Sequence, residues 1–171
     1  MKKILLTIFF IIFSSVCYAQ EKIVYLDINY LISQSEVGKH VNSNLKKIND
    51  ENNKEFKKVE LEIQSKEQSL LKQKNILKKE DYEIKISNLK NNLITYQKQK
   101  KKKIDELNKL RSNAGNEILK YINEILTEYS KSKSISLILE KKNVVIGKTD
   151  LDVTPDILIL LNKKIKKIEL K

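Results

Sequence analysis

NILKKEDY, residues 75–82, lies between two long runs of helical patterning. Upstream, Val41, Leu45, Ile48, Phe56, Val59, Ile63 and Leu70 recur on a 4-3 spacing, with Asn52 and Lys66 filling polar slots. Downstream the series is Leu89, Leu93, Tyr96, Lys100, Leu107, Ala114, Ile118, Tyr121 and Ile125. Each series is one apolar stripe on a helix. Between Lys39 and Pro155 the only glycines are Gly115 and Gly147, so little in that length forces a turn. Two stripes fit either a continuous rod or a hairpin of two antiparallel arms. At 75–82 the register breaks, and Glu80 and Asp81 gather where the positive N-terminal end of a new helix favours carboxylates. The stretch therefore predicts a hairpin with its tip near residues 75–80. Arms of about 35–40 residues, at about 1.5 Å rise each, would project on the order of 55–60 Å. Pairing outward from the tip brings Gly38 near Gly115, where small residues would let the arms approach closely as they enter a body.

The two ends of the chain have a different texture. KIVYLDI (22–28), ISLILE (135–140) and NVVIGK (143–148) are short β-branched runs that read as strands, with a hairpin turn at Lys141-Lys142-Asn143. Thr154 is expected to cap a short helix begun by Pro155, with Ile157, Leu158, Leu160 and Leu161 on its apolar face. The fold class is therefore α+β. Residues 20–38 and 132–171 build a small β-body from both chain ends, and residues 39–131 form the helical-hairpin arm. About three short strands cannot hide their own edges. The run Ile135–Leu139, apolar except for Ser136, points to burial on both faces, so self-association through the strands is expected, and a closed ring would leave no edge. Val24, Leu26, Leu137, Leu139 and Val145 are the candidate oligomerisation residues.

The chain opens MKKILLTIFFIIFSSVCYAQ: two lysines, an apolar block from Ile4 to Phe13, then small and polar residues. That order is a cleavable secretory signal over residues 1–19, with cleavage after Ala19. The apolar block is half the roughly 20 residues that cross a bilayer. Lipoprotein processing at Cys17 would require a smaller residue than Val16 before it. Export takes the mature protein into a compartment that permits disulfides, but without its one cysteine and so without disulfides or thiolate metal sites.

The formal charge of +12 rests on 34 Lys+Arg, of which only Arg111 is arginine. Together with the abundance of Asn and Ile, this fits an AT-rich coding bias as well as a selected basic surface. The densest run, Lys98 and Lys100 to Lys103, lies opposite about residues 53–60 in the hairpin register and faces Glu55, Phe56 and Glu60. Lys100 occupies a stripe position and is expected to loosen the pairing there. Phosphate, anionic lipid and water all satisfy such a run; export makes nucleic acid the poorest fit.

Groups for common catalysis are missing. His40 is the one histidine and reads as a solvated helix residue. Gly38-Lys39 lacks the upstream glycine and the following Ser or Thr of a phosphate loop. Asp27 could pair with Asp150 or Asp152 for acid–base work, but Asp27 lies near a strand end and Asp152 before a helix, where capping and turn roles are commoner. No enzyme activity, cofactor or metal is expected.

After a signal peptide, the order KIVYLDINYLISQSEVGKHV, a long Lys/Glu/Gln-rich helical stretch, then ISLILEKKNVVIGKTDLDVTPDILILLN resembles the Skp (OmpH-like) periplasmic chaperone family. Ile23–Asp27 correspond to its first strand, Asn29–Ile32 and Ser35–Lys39 to the start of its first arm, and Leu137–Glu140 to its "LVLD"-like strand. Asp152–Leu158 match its D-[IV]-T-x-x-[VL]-[LI] ending, so the resemblance spans residues 22–162. It implies a homotrimer with a β-barrel core and three helical tentacles around a cavity. It also implies an ATP-independent holdase for unfolded outer-membrane β-barrel proteins. Phe56, Val59, Ile63, Tyr82, Leu89, Leu93, Tyr96 and Lys100 would be the client-contacting arm residues, with anionic lipid or lipopolysaccharide as further partners. The alternative is a structural coiled-coil envelope protein or secretion adaptor with one fixed partner. Low alanine content and a basic tail, Lys164–Lys171, depart from the family pattern.

Overall fold

A computed structural model describes residues 21–171; the signal-peptide expectation lies outside the described residues. In chain order the elements are β1 (Lys22–Leu26), α1 (Ile28–Gln34), α2 (Glu36–Gln73), α3 (Lys79–Lys133), β2 (Ile135–Glu140) and α4 (Thr154–Lys164). Helices α2 and α3 form the antiparallel arm. The chain turns over residues 74–78, where Leu77 N donates to Gln73 O at 3.0 Å, and Glu80 and Asp81 occupy the first turn of α3. The 38 residues of α2 span about 57 Å at about 1.5 Å per residue.

Short polar residues punctuate the route into the arm. The side chain of Asp27 caps α1 by accepting from Tyr30 N at 2.9 Å. Ser35, fully buried, ends α1 and caps α2 by accepting from Gly38 N at 3.1 Å. The first strand is thus shorter than KIVYLDI, because Asp27 gives the backbone a capping partner in place of a ladder. Gly38 does require close approach, but to a different neighbour: a Cβ there would stand 1.6 Å from the Ile32 carbonyl oxygen of α1. A Cβ on Gly115 would meet nothing within 4 Å, so the expected glycine contact between the arms is absent.

β1 and β2 pair in parallel, Ile23 opposite Leu137 and Tyr25 opposite Leu139. Parallel strands need a long crossover, and here it is the whole hairpin. The expected third strand at 143–148 does not form. Residues 141–143 make a 3₁₀ turn, and the following segment is held by a side chain, with the Tyr25 hydroxyl donating to Lys148 O at 3.1 Å. A Cβ on Gly147 would lie 2.8 Å from the Tyr25 ring. The other edge of β1 is met by an isolated parallel bridge, Tyr25 with Asp152, and Val153 N donates to Tyr25 O at 2.9 Å.

The core sits where the arm joins this small sheet. Val24 and Leu26 from β1, Leu31 from α1, Val37, Val41 and Leu45 from α2, and Ala114, Ile118, Ile122 and Ile125 from α3 are buried together. Ile157 and Leu161 close the cluster from α4. The helix was expected to be capped by Thr154, but the cap position is Val153. The Thr154 hydroxyl instead accepts from Asp27 N at 2.8 Å and donates to Asp152 Oδ1, joining the two chain ends.

Candidate interaction surfaces

Along the outer arm, the seam is thin and closed by a few strong contacts. Phe56 and Tyr96 are buried edge to face, with centroids 6.3 Å apart and planes at 77°. Lys100 Nζ lies 5.4 Å from the Phe56 centroid and 5.5 Å from that of Tyr96, a cation–π position. The same ammonium group pairs with Glu60 at 2.9 Å, and Glu60 also accepts from the Tyr96 hydroxyl. Lys103 reaches Glu55 at 2.7 Å. The run thus does lie opposite Glu55, Phe56 and Glu60, as the hairpin register requires. Lys100, however, fastens the pairing rather than loosening it. Its long stem lets an ammonium group at a stripe position reach across to the opposite helix.

These contacts shift the ionisation of the clasp. Hydrogen bonds from Tyr96 and then Lys100 hold Glu60 below the ordinary carboxylate value. The hydrogen bond to Glu60 raises Lys100. Loss of water, then the bond to Glu60, raises Tyr96. All three groups stay in the protonation state that keeps the clasp closed near neutral pH.

The expected arm-contact residues divide by exposure. Phe56 and Tyr96 are buried in the clasp; Val59, Ile63, Tyr82, Leu89 and Lys100 are half-buried in the seam; Leu93 is exposed. Leu61, Ile84, Ile86, Ile94 and Ile104 also stand in solvent, and the stripe pattern missed them. Ile86, Leu93 and Ile104 follow at about two and about three turns, so they share one exposed face of α3 that borders the seam at Leu93. That spacing, read as a second face instead of as interruptions, is the signal that would have found them. Ile76, 81% exposed, stands on the tip.

On the body, Val24 and Leu26 are buried within the chain's own core and present no surface to another subunit. Leu137, Leu139 and Ile23 alternate with them on the opposite face of the sheet and are exposed, as are Val145 and Ile146. Strand alternation separates these sets, and the largely apolar ISLILE run hid it.

Of the carboxylates expected in capping or turn roles, Asp27 caps α1 and Asp152 holds the turn into α4. Asp152 accepts from Thr154 N at 3.0 Å and from its hydroxyl, and pairs with Lys141 at 3.1 Å. Burial would raise Asp152, but the Thr154 and Lys141 bonds outweigh it and leave it below the ordinary value. His40 is half-buried, its Nε2 3.1 Å from Asn44 Nδ2. Among the described residues there is no His/Cys/Asp/Glu group able to hold a metal, and no helix long and apolar enough to cross a membrane.

A family model for OmpH-like outer membrane proteins matches residues 22–161. A solved structure of a candidate OmpH-like outer membrane chaperone from Caulobacter crescentus CB15 shares the fold. Its TM-score is 0.79 at 18% identity, covering 88% of this chain and 89% of that one. No curated protein matches in sequence. The match over 22–161 runs from β1 through the arm to the apolar face of α4, and the chain belongs to the OmpH-like outer membrane protein family.

Proposed function

We propose that the protein is an ATP-independent periplasmic holdase that binds unfolded outer-membrane β-barrel proteins and keeps them from aggregating in transit. The observation that carries this reading is apolar surface without a pocket for it: Leu61, Ile84, Ile86, Leu93, Ile94 and Ile104 stay exposed along a projecting arm. A folded partner with one fixed surface needs a single compact patch. An unfolded chain with alternating apolar side chains is met by many dispersed ones. Each contact is weak, but the effective concentration at the next is high once the first has formed, and binding lowers the free unfolded population by mass action. Family membership and the structural likeness to a candidate outer membrane chaperone support the same reading.

In this reading the sheet's outer face, Ile23, Leu137 and Leu139 with Val145, is covered by other subunits of a homotrimer with a β-barrel core. The arms then surround a cavity. The lysines of the arms attract acidic clients and anionic lipid or lipopolysaccharide. The leader directs the chain to the periplasm, no nucleic acid takes part, and holding requires neither a catalytic step nor a cofactor.

Replacing Ile86, Leu93 and Ile104 together by serine tests the carrying observation. The arm stays helical, because these side chains are already exposed in the fold, and affinity for a urea-unfolded β-barrel protein falls about tenfold or more, equivalent to about 1.4 kcal/mol. Unchanged affinity would remove the basis of the proposal. A second reading, an adaptor, draws on the single line that these three residues form, which suits one partner helix. It predicts saturable binding to one folded protein and indifference to unfolded ones.

A further inference from the structure

The chain leaves α4 at Ile165 in extended conformation, φ −151° and ψ 137°, and residues 165–171 run back along the root of the arm. They lie beyond the 22–161 span that the family model matches. Ile168 is buried in the core cluster, and Ile165 and Leu170 pack against it. Just before the segment Lys164, the last residue of α4, pairs with Glu124 of α3 at 2.9 Å and approaches Glu128 at 4.0 Å. In its middle Lys166 pairs with Glu36, the first residue of α2, at 3.3 Å. At its end the Lys171 carbonyl accepts from Asn113 Nδ2 of α3 at 2.8 Å. Glu124 and Asn113 are about three turns apart. One short segment therefore touches the first turn of one arm helix and a length of the other, on the side where the body ends.

We infer that residues 165–171 are a strap that braces the root of the hairpin, sets how stiffly the arm stands on the body, and is loosened by ionic strength. A hairpin held only at its base pivots there, and every contact of this segment lies at that base. Ile168 anchors the strap by apolar burial, which salt does not screen. The ion pair of Lys166 with Glu36 is solvent-exposed, and salt screens it. The strap thus has one fixed point, with a salt-sensitive ion pair before it and the Asn113 hydrogen bond after it. A stiff root lowers the ordering cost of capturing a ligand between arms, so loosening it shows mainly as faster release. That last consequence rests on the holdase reading; the bracing itself does not.

Hydrogen–deuterium exchange on the protein without client tests the strap. In a variant ending at Lys164, amides in 36–48 and 107–125 are expected to exchange at least about fivefold faster, with amides in 60–90 unchanged. Raising salt from about 0.05 M to about 0.5 M on the full chain should move the same amides in the same direction. Should truncation accelerate exchange everywhere, Lys166→Glu alone and with Glu36→Lys decides. The single reversal should speed exchange at the root and the swapped pair restore it. Root exchange indifferent to truncation, or a swap that restores nothing, overturns the strap. Client release about five- to tenfold faster from the truncated form would add its consequence. A full chain that binds no client would defeat the holdase reading and leave the exchange result standing.

Discussion

Gly38 and Gly115 are both helical, yet alanine should act on them with opposite sign. At Gly38 the new Cβ would meet the Ile32 carbonyl at 1.6 Å, so α1 must move. We expect a loss of about 3 kcal/mol, the upper end for overpacking. At Gly115 the space is open, and alanine should add about 0.5–1 kcal/mol through helix propensity. Denaturant midpoints of the two variants read both. Asp152→Ala should cost about 1–2 kcal/mol at neutral pH, since Thr154 N and its hydroxyl lose their acceptor. Asp152 lies below its ordinary 3.8 in the fold. Its contribution is therefore fully present above about pH 4 to 5 and fades as pH falls through the folded value. Thermal melts of wild type and Asp152→Ala should converge on acidification. Capping at Asp27 and the turn at Asp152 were legible because short polar residues stood at element boundaries. The role of Lys100 was not, because a stripe position says where a Cβ points and not how far an ammonium group reaches.

Among the elements, the hairpin was legible from one break in register and two acidic residues after it. The parallel pairing of β1 and β2 was not, since periodicity within a strand carries no information about its partner. NVVIGK misled for a related reason: β-branched composition favours extended backbone, and extended backbone pinned by Tyr25 is not a strand. The fold predicts a division of stability between root and arm. The buried cluster lies at the root, while the outer seam has the Phe56 and Tyr96 clasp and Leu70 as its buried side chains. Phe56→Ala should therefore speed amide exchange in about residues 50–65 and 90–105 at least tenfold, equivalent to about 1.4 kcal/mol, and leave the root protected. Equal acceleration at root and arm would show that the hairpin melts as one unit.

At the scale of the whole molecule, one chain leaves apolar side chains on two separate surfaces, the outer face of the sheet and the flank of the arm. The sequence placed Leu137 and Leu139 on a strand, but only alternation across the folded sheet separates Val24 and Leu26, inside, from Leu137 and Leu139, outside, and Val145 lies exposed in a segment that forms no strand. If the sheet face is covered by like subunits, Leu137→Lys with Val145→Asp should turn the oligomer into monomers by light scattering. The arm deletion of about residues 50–108 should leave the oligomer intact. The claim on which the rest depends is that the arms hold unfolded chains. Its most direct measurement is light scattering after several unrelated outer-membrane β-barrel proteins are diluted from urea into the protein at a few-fold excess. The account predicts that scattering is suppressed for all of them without ATP; aggregation at the rate seen without the protein would contradict it.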